Sequence, residues 1–351
     1  MCGIIGYHGD EEASEKVYQG LKRLEYRGYD SAGIATAGNP TVKINKGVGK
    51  VDEATAPDTD GSVGVGHTRW ATHGGVTEKN AHPHTDCSGD IAVVHNGIIE
   101  NHEELKSELE HHSFESETDT EVIPHLLEEY MEDNSLRESV NMIAGKLEGS
   151  YAVVVVTGDG RMAAFRQGSP LVLGVGEEEH FLASDVTPFL EHTDKAVFLQ
   201  DGDRVVIEDG YTVFDSEGEK SRPVENIDWD AEEASREGHE HYMEKEILEQ
   251  PKTLSRSVFQ DKSDLREASE LLRDAEQVHI TGCGTSSFTA SLGAKYLSDR
   301  GLDVKTEQAH ELEYRSHEID EDDLVIAISQ SGETADLLSM LEEVEADVLA
   351  L

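Results

Sequence analysis

The sequence predicts an α/β chain in two parts: a layered N-terminal domain with substantial antiparallel sheet, then a doubly wound parallel sheet. Three observations carry this. Up to about residue 225, short runs rich in Val, Ile and Ala alternate with Gly-containing turns. Helical patterns interrupt those runs in irregular order, as in a layered α/β/α arrangement. From about residue 263 the rhythm changes to strand, turn, helix, which builds parallel sheet.

In the first part, "GSVGVGHTRW", "DIAVVHNGII" and "HFLASD" read as strands, and "YAVVVVTGDGRMAAFR" as a hairpin closed by Gly-Asp-Gly. Apolar periodicity places helices over Glu12–Leu24, His102–His111, Thr120–Met131 and Ser135–Leu147. The stretch from Asp228 to Gln260 is polar and helical, a connector rather than a core. Beyond it come helix Asp264–Asp274, strand Gln277–Thr281 and a Cys-Gly-Thr-Ser-Ser turn into helix Phe288–Arg300. Strand Asp303–Glu307, a short helix His310–Tyr314 and strand Leu324–Ser329 follow. A Gln-Ser-Gly-Glu-Thr turn, helix Ala335–Val344 and a strand beginning "ADVLAL" complete the sequence. The expected domains are 2–225, a helical connector 226–262, and 263–351. The last of these opens a sheet without filling it, so a fragment is expected.

Composition removes several function classes. Among 351 residues, 74 are Asp or Glu and 29 Lys or Arg, a formal net charge of −45. Phosphate backbones and anionic membrane surfaces are held by Lys and Arg, so neither nucleic acid nor membrane is an expected partner. The charge is spread along the chain, which fits a solvated acidic surface in a high-salt cytoplasm. No apolar run approaches the roughly 20 residues that span a bilayer, and no secretory leader is visible. Three scattered cysteines, Cys2, Cys87 and Cys283, make no disulfide framework and fit a reducing compartment.

Cys2 sits directly behind Met1. Removal of Met1, expected for a small second residue, leaves a thiol beside a free α-amine whose reference pKa is about 7.7–8.0. Such an amine can take the thiol's proton through a bridging water, so one residue supplies nucleophile and base. Four further stretches follow in order: "EYRGYDSAGIA" (25–35), "HTRWATHG" (67–74), "HNGIIENHEEL" (95–105) and "SETDTEVIPHLL" (116–127). With the opening "CGIIGY" they resemble the class II glutamine amidotransferases. "EYRGYDSAG", "GSPLVLGVG" and "HYMEKEILEQP" resemble the hexosamine-forming branch of that family.

The resemblance implies an α/β/β/α N-terminal-nucleophile hydrolase domain. It also implies L-glutamine and D-fructose 6-phosphate as substrates, D-glucosamine 6-phosphate as product, no cofactor and a homodimeric full-length protein. Cys2 is the implied nucleophile, with the Asn96 side-chain amide and the Gly97 backbone N–H meeting the tetrahedral oxyanion. Arg69 is the fork for glutamine's α-carboxylate and Asp119 the partner of its α-ammonium. Thr72 and His73 belong to the loop that closes over glutamine, and Trp70 sits where ammonia leaves.

"GCGTSS" (282–287) and "SQSGET" (329–334) each follow a strand and precede a helix, exposing backbone N–H groups suited to a phosphate. No lysine follows either, so neither is a nucleoside-triphosphate loop. They resemble the sugar isomerase domain of the same branch. The implied phosphosugar contacts are Cys283, Thr285, Ser286, Ser329, Gln330, Ser331 and Thr334. The lysine, glutamate and histidine that handle the open-chain sugar in that branch fall beyond residue 351. Two rival readings remain: another class II amidotransferase, such as the phosphoribosyl one, or a sugar-phosphate-binding fragment without synthase activity. His82, His84 and Cys87 in "NAHPHTDC" match no closed four-ligand spacing, so no metal is expected. Cys87 reads as a replaceable loop thiol, and His111-His112 as a solvated helix end.

Overall fold

Both members of the Ile4–Ile5 pair are fully buried, because their strand has a core on each face. The computed structural model describes residues 2–55, 60–70, 74–208, 210–227, 242–258, 262–330, 332 and 334–351. The chain divides into two units, Met1–Tyr242 and Met243–Leu351.

The strands of the first unit are β1 (Gly3–His8), β2 (Ser31–Ala37), β3 (Val42–Val48), β4 (Val63–Arg69), β5 (His84–Thr85), β6 (Ile91–Ile99), β7 (Gly149–Thr157) and β8 (Met162–Gln167). They continue with β9 (Val172–Val175), β10 (His180–Ala183), β11 (Lys195–Phe198), β12 (Arg204–Ile207), β13 (Tyr211–Asp215), β14 (Gly218–Glu219) and β15 (Glu225–Asn226). One sheet has eight strands in the order β15-β11-β9-β10-β1-β4-β2-β3; the other has seven, β14-β13-β12-β8-β7-β6-β5. Every ladder in both is antiparallel.

The helices of this unit are α1 (Ala13–Leu24), α2 (Val51–Ala54), α3 (His102–Glu108), α4 (Val122–Met131) and α5 (Leu136–Ala144). Period-2 alternation assigns each strand residue to a layer. Ile4, Val65, Val94, Val154 and Leu182 fill the space between the sheets. Ile5 packs outward with Val17, Leu21 and Leu24 of α1. Val93, Val153 and Val155 pack outward with Leu126 and Leu127 of α4 and Val140 of α5. This α/β/β/α layering explains the unbroken "VVVV" of β7: with both faces covered, no polar alternation is needed. Each such fully buried side chain contributes roughly 1.5–3 kcal/mol. The Gly-Asp-Gly hairpin forms as expected, with Val156 opposite Met162. Helix α5 is opened by a capping box in which Ser135 and Glu138 bond each other's backbone N–H.

The second unit holds α6 (Tyr242–Val258), α7 (Lys262–Asp274), β16 (Val278–Gly282), α8 (Thr285–Ser298), β17 (Val304–Gln308), α9 (Ala309–Glu313), β18 (Leu324–Ile328), α10 (Ala335–Glu342) and β19 (Asp347–Ala350). Its four strands run parallel in the order β17-β16-β18-β19. Ile280 and Ile326 pack on one face with Ala290 and Ala294 of α8; Val325 and Ala327 pack on the other with Leu337 and Met340 of α10. Helix α8 starts at Thr285 rather than Phe288, because Gly284 turns the chain at φ 56° and lets the helix begin at once. The order reverses at β16, so the turns after β16 and β18 share one carboxyl edge. Among the described residues no helix is long and apolar enough to cross a membrane.

Candidate active site

At one end of the first unit, residues from both sheets converge on Cys2. The residue after it, Gly3, pairs with Thr68 on β4, so the cysteine lies against the end of that strand. The Trp70 backbone N–H donates to Cys2 Sγ at 3.3 Å, and the thiol lies 3.5 Å from the Trp70 carbonyl oxygen. From the opposite sheet, Asn96 Nδ2 donates to the Cys2 carbonyl oxygen at 3.2 Å. Burial pushes the Cys2 thiol pKa up, while the Trp70 N–H and the nearby Arg69 charge pull it back. A thiol so placed is protonated at neutral pH and needs a base.

Gly97 follows Asn96 with φ 117°, a conformation that L side chains rarely adopt. The "EYRGYDSAG" loop runs flat against the Cys2 contact. A Cβ on Gly28 would lie 2.7 Å from Arg69 C and 2.9 Å from Trp70 N, and the Asp30 N–H donates to the Arg69 carbonyl at 3.0 Å. Trp70 is 43% exposed and packs edge-on against Tyr29, 5.2 Å between centroids.

Arg69 closes β4 with a buried side chain whose Nη1 donates to the Gly75 carbonyl at 3.2 Å. Burial lowers its pKa, opposed by Cys2, Asp119 and Asp30. Asp119 opens a single 3-10 turn, and its Oδ2 accepts the Ile99 backbone N–H at 2.7 Å, which ties it to the end of β6. The structure thus gathers Cys2, Arg69, Trp70, Asn96, Gly97 and Asp119 about the ends of β4 and β6. Thr72 and His73 lie outside the described residues.

Sequence reasoning missed what stands behind Asn96. His67 Nε2 faces two oxygens, the His95 carbonyl at 3.0 Å and Asn96 Oδ1 at 3.1 Å, so it carries the proton. His67 Nδ1 is then the acceptor for His82 Nδ1 at 3.2 Å. His82 Nε2 accepts from Thr120 Oγ1 at 2.9 Å, and Thr120 accepts from His95 Nδ1 at 2.9 Å. One direction of donation runs through all these groups and ends on Asn96 Oδ1, which leaves the amide N–H₂ facing Cys2. Burial brings the His67 pKa down to about 3, and holds His82 and His84 well below the usual range and His95 below it. A relay of neutral imidazoles keeps its polarity across physiological pH. One signal was available in the sequence: on β4, His67 shares a strand face with Val65 and points between the sheets.

His82 and His84 therefore turn into the core, away from Cys87. The reading of His111-His112 as a solvated helix end is corrected for His112. Helix α3 stops at Glu108, and the His112 ring folds back, 10% exposed, with Nδ1 3.0 Å from Glu128 Oε2.

In the second unit, Gly282 and Ile328 pair across β16 and β18, so the two Ser/Thr turns are neighbours. Cys283 is half-buried, and Thr285 and Ser286 open α8. Ser329 Oγ accepts the Gly332 N–H at 3.0 Å and lies 3.3 Å from Thr334 Oγ1. Gln330 is exposed, and Ser331 lies outside the described residues.

Comparison with known proteins agrees with both halves. Residues 67–191 match the glutamine amidotransferase domain family and residues 271–350 the SIS domain family. The glutamine–fructose-6-phosphate aminotransferase [isomerizing] of Pyrococcus horikoshii is 46% identical over 357 residues, covering 97% of this chain and 60% of that protein. Its namesake from Halobacterium salinarum is also 46% identical, covering 97% of this chain and 59% of the relative. The chain thus spans about 60% of the length of these relatives. Among solved structures, the Bacillus subtilis glutamine phosphoribosylpyrophosphate amidotransferase, complexed with ADP and GMP, superposes with a TM-score of 0.56 at 20% identity. That match covers 99% of this chain and 81% of the other, and it shows the fold. With two domain matches in this order and relatives aligned along nearly its whole length, the chain is similar throughout to glutamine–fructose-6-phosphate aminotransferases and carries a glutamine amidotransferase domain match followed by a SIS domain match.

Proposed function

We propose that this chain carries the glutamine-hydrolysing half, and part of the phosphosugar site, of an enzyme that forms D-glucosamine 6-phosphate from D-fructose 6-phosphate and L-glutamine. The domains are 2–225 for glutamine, 226–262 as connector and 263–351 for the sugar. The Cys2 thiolate attacks the amide carbon of glutamine, its proton passing through water to the α-amine freed by loss of Met1. The oxyanion is met by Asn96 Nδ2 and the Gly97 N–H, while Arg69 and Asp119 hold the amino-acid end. Collapse breaks the C–N bond, ammonia leaves with a proton past Trp70, and water hydrolyses the thioester to glutamate. Thr72 and His73 close over the substrate. Cys283, Thr285, Ser286, Ser329, Gln330, Ser331 and Thr334 hold the sugar phosphate, and the ammonia passes to it. The setting is a high-salt cytoplasm, and the full-length protein is a homodimer.

The observation that carries this reading is the meeting of Cys2 with Trp70 N–H from one sheet and the Asn96 amide from the other. An antiparallel sandwich does not otherwise need a thiol, a buried side-chain amide and a buried Arg at one edge. The test is glutamate release by the purified chain and by Cys2→Ala. The variant should lose it entirely; hydrolysis at the parent rate in Cys2→Ala would refute the assignment.

A further inference from the structure

Away from Cys2, four side chains that the proposed chemistry does not use converge on one point: Cys87 between β5 and β6, His112 after α3, and His125 with Glu128 on α4. Cys87 Sγ lies 3.6 Å from His112 Nδ1 and 3.7 Å from His125 Nδ1. The two Nδ1 atoms are 3.2 Å apart, and Glu128 Oε2 is 3.0 Å from the first and 3.6 Å from the second. All four ligand atoms lie within 4.8 Å of one another.

Hydrogen bonding alone does not account for this. An imidazole nitrogen offers one in-plane lone pair or one proton, hence one good partner. Here each Nδ1 faces three groups, the other ring included. A tetrahedral zinc with Zn–N of about 2.0–2.1 Å, Zn–S of about 2.3 Å and Zn–O of about 2.0–2.2 Å has ligand–ligand edges of roughly 3.3–3.6 Å. The five distances above bracket that range. The outer shell has the expected form too: His112 Nε2 faces Glu129 Oε1 at 3.4 Å and His125 Nε2 faces Glu121 Oε1 at 4.0 Å, so each ring turns its far nitrogen toward a carboxylate. His125 Nε2 is buried without a hydrogen-bond partner, and Phe114 packs edge-on against that ring at 4.7 Å.

We propose that Cys87, His112, His125 and Glu128 bind one Zn²⁺ as a closed structural site. Thiolate and carboxylate together neutralise the dication, and a sulfur with two nitrogens selects zinc over calcium or magnesium. The sequence conceals the set because its ligands are scattered from residue 87 to 128 rather than grouped at a closed four-ligand spacing. The ion would tie the 85–90 turn and the segment after α3 to α4. That segment continues into the turn bearing Asp119, so the site braces one wall of the glutamine pocket without touching it.

The test uses the full chain, stripped with a chelator under a non-coordinating reductant and titrated with Co²⁺, then Zn²⁺. The parent should bind one Co²⁺ with strong tetrahedral d–d absorption and a thiolate charge-transfer band, both erased by one equivalent of Zn²⁺. Cys87 is exposed, so Cys87→Ser should fold; it should lose the charge-transfer band and bind Zn²⁺ at least tenfold more weakly. Zn²⁺ should raise the urea midpoint of the parent and not of Cys87→Ser. The other convergent set among the described residues, Cys283, His310 and Asp336, serves as control, and Cys283→Ser should leave the cobalt spectrum unchanged. Absence of a charge-transfer band in the parent, or its loss in Cys283→Ser rather than Cys87→Ser, would overturn the proposal.

Discussion

Replacing Gly97 by Ala tests the oxyanion assignment through a single methyl group. The new Cβ would stand 1.9 Å from the Ser150 carbonyl oxygen and 3.0 Å from Ser169 Oγ. Ordinary contact begins at about 3.4 Å, so the peptide must retreat from β7 by roughly 1.5 Å. The φ of 117° adds strain of about 1–3 kcal/mol, since a Cβ disfavours it. An oxyanion donor works at about 2.7–3.1 Å from the developing charge, and losing one typically costs about 10²–10³ in kcat. The displacement exceeds that tolerance. We therefore expect glutamine hydrolysis in Gly97→Ala to fall by about 10²–10³ in kcat with KM changed by less than about threefold, because ground-state glutamine is held at its other end. The assay is glutamate release, run beside alkylation of Cys2 by iodoacetamide, which should proceed at the parent rate if the thiol stays in place. A kcat within threefold of the parent would show that the Gly97 N–H does not meet the oxyanion.

Three further outcomes follow from the same geometry. Arg69→Lys keeps the charge but loses the planar fork; a charge-assisted hydrogen bond contributes about 1.5–3 kcal/mol, so the KM for glutamine should rise roughly 10- to 100-fold with a smaller change in kcat, and an unchanged KM would remove Arg69 from the binding site. Gly28→Val places branched carbons against the Arg69–Trp70 peptide, and should slow Cys2 alkylation and glutamine hydrolysis together; loss of neither would show that the loop yields freely. For His67 the folded pKa of about 3 lies below the unfolded value of about 6.5, so on acidification the unfolded chain takes the proton first. Its contribution is fully present above about pH 6.5 and is lost progressively towards pH 3, on the order of 1 kcal/mol of it by pH 5.5. His82, His84 and His95 act in the same direction. Urea unfolding at pH 7.5 and 5.5 should show a shallower acid loss in His67→Gln than in the parent; equal losses would place the proton uptake elsewhere.

Much of the layered fold was legible because the strands announce themselves. The run "AVVVVT" forms β7, "IAVVHNGII" forms β6, and the hairpin between β7 and β8 closes where Gly-Asp-Gly stands. The helix over Glu12–Leu24 appears as Ala13–Leu24, with Val17, Leu21 and Leu24 on one buried stripe. The second unit's order was legible from its alternating rhythm. What stayed hidden depends on tertiary partners. Strand alternation puts His67 on the buried face with Val65, but its hydrogen-bond partners emerge only when β4 lies across from β6. His112 looked solvated because helical phase says nothing about the segment beyond a helix end. Cys87 looked replaceable because its companions stand on two other elements.

The division of labour in the site follows from which parts are held by core and which by strand ends. Cys2 leads into β1, in the middle of one sheet, and Asn96 rises from β6 in the other. The contact between them crosses the sandwich where Ile4, Val65, Val94 and Val154 are packed. The His67 relay crosses at the same level. The spacing of the proposed nucleophile and the proposed oxyanion donor is therefore fixed by the thickness of a close-packed interior, which resists displacement far better than a loop. Arg69, Trp70 and Asp119 sit instead where β4 ends and where a single turn leaves β6, positions that can adapt as substrate enters. On the proposed roles, chemistry rests on the rigid parts and recognition on the ends. Trimming the core between the sheets should thus disturb kcat before KM, whereas changes beyond Arg69 should disturb KM first.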